Sequence, residues 1–138
     1  MRFLSIVMGC YNEQENLPEV YERVTRVMAE QLPEYRYEII FIDNASTDDS
    51  VGVLRNICAS DKRVKVIVNT RNFGHIRSPY HALLNATGDA AIIMASDLQD
   101  PPEMIPDFVR KWEDGYKIVL GQKTNSQESY LFWLVRRT

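Results

Sequence analysis

Two apolar rhythms alternate along this chain. Short, mainly apolar segments at residues 3–8, 37–43, 64–69, 90–95 and 117–120 read as strands. Between them, apolar residues recur three and four apart. Leu17, Val20, Val24, Val27 and Met28 mark a helix over 17–32, and Val51, Leu54, Ile57 and Cys58 mark one over 50–59. Ile105, Phe108, Val109 and Trp112 mark another over about 103–114, and Gly115 ends it as a C-terminal cap. A helix near 77–86 is expected to start late, because Pro79 restricts its first turn. A further helix is expected from Ser129. Asn16 is a candidate N-cap for the first helix, Thr47 or Asp48 for the second, and Asp100 for the one after Pro101-Pro102. The order βαβαβαβαβ predicts an α/β fold: a mostly parallel sheet with helices on both faces, joined by right-handed crossovers.

In such a sheet, ligands bind outside the carboxyl ends of the strands. Three loops lie there: Gly9-Cys10-Tyr11-Asn12-Glu13, Asp43-Asn44-Ala45-Ser46-Thr47-Asp48 and Ala95-Ser96-Asp97-Leu98-Gln99-Asp100. They bring carboxylates, amides and one aromatic ring to one edge. That set suits a nucleotide. A carboxylate accepts base or ribose hydrogen bonds, and Tyr11 supplies an apolar wall. Asp97 and Gln99, two positions apart, offer oxygen ligands to a hard divalent cation that can bridge to phosphates. No GxGxxG follows the first strand and there is no GxxxxGK[ST] loop, so phosphates must be held by other means.

Bulk properties narrow the partners. A length of 138 residues is one domain's worth, with 45% apolar and 25% charged residues, as expected of a folded globular chain. A net charge of -3 leaves no broad basic footprint for nucleic acid. Cys10 and Cys58 are far apart without metal-site spacing, and read as reduced, inert thiols of a cytosolic protein. The N-terminal apolar run is too short for a cleavable signal, and no run reaches the ~18 apolar residues of a membrane span. Residues 130–137, apolar and aromatic with a basic end, fit either a core helix or an interfacial one.

The motifs also carry a resemblance. Met8-Gly9-Cys10-Tyr11-Asn12-Glu13-Gln14-Glu15-Asn16-Leu17-Pro18 resembles the opening of family 2 glycosyltransferases of the GT-A fold, a Rossmann-like three-layer αβα architecture. Ile42-Asp43-Asn44-Ala45-Ser46-Thr47-Asp48 resembles their second-strand motif, and Arg71-Asn72-Phe73-Gly74 their third loop. Asp97-Leu98-Gln99-Asp100-Pro101-Pro102-Glu103 is similar to the subgroup acting on polyprenyl phosphates, such as dolichol-phosphate mannose synthases and bactoprenol glucosyltransferases. The chain departs from the pattern at Ala95, where a first acidic residue is usual, at Gly9, where proline is common, and at Asn44, where a second aspartate is common.

The resemblance implies that Tyr11, Glu13 and Asp43 contact the nucleoside, that Ser96 lies along the sugar nucleotide by its backbone, and that Asp97 and Gln99 hold Mg²⁺ or Mn²⁺ against the diphosphate. Asp97 is thereby the catalytic residue. It implies an inverting transfer from a nucleoside-diphosphate sugar to a polyprenyl phosphate, or to another glycan acceptor. The implied setting is cytoplasmic, with peripheral contact at the inner membrane face. Members of the subgroup continue beyond this length, so residues 1–138 are expected to be a single donor-side domain, truncated at the C-terminus. An incomplete sheet invites homo-oligomers. Two other readings stand beside this one: a non-catalytic donor-binding fragment, and a GT-A enzyme with a sugar-hydroxyl acceptor.

Each candidate also has a plain structural role to be weighed against it. Asp97 and Asp43 could be turn-forming aspartates, and Glu13 could favour the first helix dipole. Gln99 could be merely solvated. Arg71 reaches either a diphosphate or solvent. His75 and His81 carry no assigned role.

Overall fold

A computed structural model describes residues 1–122. Its elements are β1 (Phe3–Cys10), α1 (Leu17–Gln31), β2 (Arg36–Asp43), α2 (Ser50–Ser60), β3 (Val64–Val68), α3 (Gly74–Leu83), β4 (Ala90–Ala95) and, after a 3-10 turn at Pro102–Met104, α4 (Ile105–Glu113). The four strands form one parallel sheet in the order β3-β2-β1-β4. β1 is therefore central, with Gly9 opposite both Ile42 and Ala95.

The apolar rhythms explain the layers. Leu4, Ile6 and Met8 of β1 and Ile39 and Phe41 of β2 point to one face, where they pack with Leu17, Val20, Val24, Val27 and Met28 of α1, Leu54 of α2, and Ile105 and Val109 of α4. Val7, Ile40 and Ile42 point to the other face and meet Ala82 of α3. The chain lays β2 and β3 to one side of β1, then crosses to lay β4 on the other. With crossovers of one hand, that reversal puts α3 on the opposite face from α1 and α2. It also opens a crevice between the carboxyl ends of β1 and β4, where the strand order turns around.

Three expectations need correction. The helix expected from residue 77 begins at Gly74, with Pro79 inside it. Proline removes only the hydrogen bond to the carbonyl four residues earlier, and here its ring is used in packing: a side chain at Gly9 would meet Pro79 Cγ at 3.1 Å. The fifth strand, 117–120, does not form. Residues 116–121 instead line an apolar groove of about 630 Å³ together with the β4 edge, Phe108 and Trp112. Asp100 does not cap the helix that follows it, since its carboxylate accepts the Ala95 N–H at 3.1 Å. Gly115 ends α4 as expected, at φ +101°. The helix expected from Ser129 lies outside the described residues.

At the opposite end of the sheet from the crevice, a buried carboxylate ties the α3–β4 connection down. Glu38 of β2 is 3% exposed. It accepts hydrogen bonds from Ser5 Oγ, from Thr87 N–H and hydroxyl, and from Lys65 Nζ. These bonds to the charged form outweigh burial and lower its pKa to about 2.

Candidate functional site

The carboxyl ends of β1, β2 and β4 and the start of α3 enclose a cavity of about 390 Å³, within the usual size for a small-ligand site. Cys10 and Tyr11 form part of its floor and rim, Glu13 and Asn44 one side, Ala95 and Asp100 another. Gly74, His75, Ser78 and Pro79 of α3 close it.

The β1 and β2 loops are joined into one unit. Asn12 adopts φ +53°, a conformation that Asn tolerates better than most residues. This turns its amide oxygen toward the Thr47 and Asp48 N–H groups at 2.8 and 3.3 Å, while its own N–H donates to Ser46 Oγ at 2.9 Å. Glu13 N–H donates to Ser50 Oγ, Gln14 N–H to Asp48, and Asp49 N–H to the Gln14 amide oxygen. Asp48 also accepts from Ser50 N–H and hydroxyl at the start of α2. The expected cap by Thr47 or Asp48 does not form: the N-cap position is Asp49, without a side-chain cap bond, and Asp48 instead accepts from Ser50 two residues on.

Within that unit Tyr11 is 46% exposed, and its ring is free to form a wall. Glu13 is half-buried and accepts from Asn16 Nδ2 at 2.7 Å. Asp43 has no exposed surface. Its oxygens accept the Ser46 hydroxyl and, at 3.0 Å, the Ser46 N–H three residues on, which closes the loop after β2. A nucleoside contact by Asp43 would have to displace those bonds. Cys10 Sγ lies 3.8 Å from the same carboxylate. Burial, together with Asp43's charge, pushes the thiol up to about 12, so it stays protonated and unreactive.

The β4 loop is built differently. Ser96 is buried, and its hydroxyl donates to Gly9 O at 2.8 Å, bracing β4 against β1. Its side chain is thus occupied, leaving only its backbone to face a ligand. Leu98 is held at φ +64° while its side chain packs on the main core. That anchor turns the residues on either side outward. Asp97 is half-buried and Gln99 exposed. Asp97 Oδ1 accepts Gln99 N–H at 3.0 Å, and Oδ2 has no hydrogen-bond partner among the described residues.

Would these residues suit a divalent cation? No cluster of three His, Cys, Asp or Glu side chains occurs among the described residues, so a closed protein cage is absent there. An open carboxylate oxygen beside an amide does suit a hard cation that takes most of its ligands from water and phosphates. The donor set therefore fits Mg²⁺ or Mn²⁺ at a site completed by its ligand.

Arg71 is exposed, with its guanidinium 4.4 Å from the centre of the Phe73 ring, and does not line the cavity. The sequence reading missed the α3 wall. His75 carries no role there, Pro79 enters only as a restriction on the start of the helix, and Ser78 is not singled out. The only signal was Gly74, whose φ of +84° allows the sharp entry into α3.

The parallel sheet and the crevice at the carboxyl ends of β1 and β4 define an α/β domain of the GT-A kind. A family model described as glycosyl transferase family 2 matches residues 5–138, and the chain belongs to that family. Among curated relatives, it is 38% identical over 93% of its length to an uncharacterized glycosyltransferase, YkcC, of Bacillus subtilis. It is 39% identical over 94% of its length to an undecaprenyl-phosphate 4-deoxy-4-formamido-L-arabinose transferase of Pseudomonas syringae, and 37% identical over 88% to a prophage bactoprenol glucosyl transferase homolog of Escherichia coli. It spans 39%, 38% and 39% of those proteins, about two-fifths of their length. Solved structures share the fold. The mannosyltransferase PcManGT of Pyrobaculum calidifontis, in complex with GDP-Man and Mn²⁺, superposes with a TM-score of 0.64 at 21% identity, covering 79% of this chain and 31% of that one. S. aureus TarS 1-349 in complex with UDP gives 0.65 at 20% identity, covering 91% and 38%.

Proposed function

We propose that this chain binds a nucleoside-diphosphate sugar in the β1–β4 crevice and is the donor-side domain of an inverting glycosyltransferase. The carrying observation is the open carboxylate of Asp97 on the β4 loop, which does not itself line the 390 Å³ cavity but lies in sequence between two residues that do, Ala95 and Asp100, across from Tyr11 and Glu13. The names of the relatives, an undecaprenyl-phosphate arabinose transferase and a bactoprenol glucosyl transferase homolog, favour a polyprenyl phosphate as acceptor. So does the chemistry. A phosphate acceptor is already anionic at neutral pH and needs little general-base help, whereas a sugar hydroxyl needs a base.

In this reading Tyr11 stacks along the nucleoside, and Glu13 accepts hydrogen bonds from it. Asp43 supports both through the Ser46 turn. The Ser96 backbone runs along the sugar diphosphate, and Arg71 swings from Phe73 toward the phosphates. Asp97 and Gln99 hold Mg²⁺ or Mn²⁺, which when bound neutralises charge on the departing diphosphate. With only one carboxylate, because Ala95 replaces the usual first acid, metal affinity is low until the diphosphate supplies further oxygens. Metal and nucleotide therefore bind together.

Calorimetry with UDP and GDP, each with and without Mn²⁺, tests the proposal. One of the two is expected to bind at least tenfold more tightly with Mn²⁺. Binding of neither, or binding indifferent to metal, overturns it.

A further inference from the structure

Asn44 follows the last residue of β2 and lines the cavity at 7% exposure. Its carboxamide has two donor hydrogens and two acceptor lone pairs, and all four are used. Nδ2 donates to Asn72 Oδ1 at 2.9 Å and to Gly74 O at 3.2 Å. Oδ1 accepts Phe73 N–H at 2.8 Å and Asn69 Nδ2 at 3.2 Å. The orientation of the amide follows from its partners. A backbone N–H can only donate, so Phe73 N must face oxygen. A backbone carbonyl can only accept, so Gly74 O must face nitrogen. The same network continues outward: Asn72 Oδ1 accepts Gly74 N–H at 2.8 Å, and Asn69 Nδ2 donates to Ser78 Oγ of α3 at 2.9 Å.

We infer that Asn44 is a positioning residue that locks the β3–α3 loop and the first turn of α3 as a wall of the donor cavity, and that this lock requires an amide. With its bonding capacity filled, Asn44 is not a ligand contact; it acts through Phe73, Gly74 and Ser78. A carboxylate at this position keeps the bonds to Phe73 and Asn69. It also sets an anionic oxygen against two acceptors, Gly74 O and Asn72 Oδ1, with no hydrogen between them. The loop must then move away and the wall opens. The aspartate common at this point in the family pattern therefore cannot make this particular lock, and the departure at residue 44 is matched to Asn69 and Asn72.

The effect on ligand rests on the nucleotide reading above, so the experiment has two arms. Amide hydrogen exchange on Asn44→Asp, without ligand, should quicken at Gly74, whose N–H is held by Asn72, by tenfold or more while β1 and β2 stay protected. Calorimetry with UDP and GDP plus Mn²⁺ should show affinity weakened at least fivefold. Asn72→Ala, a change at an exposed residue that removes one arm of the lock, should shift both readouts in the same direction by less. Unchanged exchange in both variants, or unchanged affinity despite faster exchange, overturns the inference. If the unaltered chain binds neither nucleotide, the nucleotide reading fails, and exchange alone decides whether the lock exists.

Discussion

Asp43 and Asp97 stand at the carboxyl ends of β2 and β4, two strands apart at the same end of the sheet, and the structure treats them in opposite ways. Asp43 is fully buried, and Ser46 satisfies both its oxygens. Asp97 is half-buried, holds one backbone N–H and leaves its second oxygen open. A saturated carboxylate shapes its own loop, while an unsaturated one is available to a ligand. The contrast separates scaffold from chemistry within a site where residue type alone does not.

The largest way to break this contrast is Asp43→Ala. It removes the acceptors of two half-buried donors, the Ser46 N–H and hydroxyl, and frees the Ser46 side chain that holds Asn12. We expect a stability loss of about 3 kcal/mol, read from denaturant unfolding. A loss below about 1 kcal/mol would mean that Asp43 is not the scaffold argued here. Glu38 gives a comparable effect through pH. Its pKa is lowered in the folded chain from the ordinary glutamate value to about 2, so it stabilises the fold above the unfolded value, and that contribution fades as pH falls from about 5 toward 2. It amounts to about 3 kcal/mol. Glu38→Gln should flatten that part of the stability–pH curve. A curve equally steep in the variant would place the acid sensitivity elsewhere, with Asp61 next, because its bonds to Arg63 also hold its carboxyl at about 2.

Asp97→Asn should do the reverse of Asp43→Ala. Thermal stability should stay within a degree or two, since only the Gln99 N–H contact is at stake. Mn²⁺-dependent nucleotide affinity should fall at least tenfold, about 1.4 kcal/mol. A variant that melts early but still binds would exchange the roles of the two aspartates.

The sequence showed the sheet and the α1 face well, because apolar spacing is set by the burial of each element. All five apolar positions expected of α1 are buried. It failed where tertiary contacts override local preference. Pro79 belongs inside α3 because Gly9 leaves room for its ring, and residues 117–120 line a groove beside β4 without pairing to it. The site was legible as three loops and an acidic motif. The direction each carboxylate faces was not, because it depends on which donors other loops present. Ser46 meets Asp43 from three residues away, but Asn44 finds its partners 25 to 30 residues along the chain.

Backbone strain separates the same two loops with the smallest expected effect. Ala45 and Leu98 both sit in the left-handed region, at φ +63° and +64°, where a Cβ costs about 1 kcal/mol or more. Ala45 carries only a methyl group and is half-buried. Ala45→Gly relieves the strain, against a gain of about 0.5–1 kcal/mol in unfolded-chain entropy. The net is a stabilisation of about 0.5 kcal/mol, or a melting temperature higher by a degree or two, with nucleotide binding unchanged. At Leu98 the same strain relief is outweighed, because its side chain packs on the main core and Leu98→Gly loses that burial as well as the anchor that turns Asp97 outward. Opposite signs for the two glycine substitutions, with binding lost only at residue 98, would show that the β2 turn merely tolerates its strained residue while the β4 turn depends on one. Equal signs would mean that Leu98 does not set the direction of Asp97.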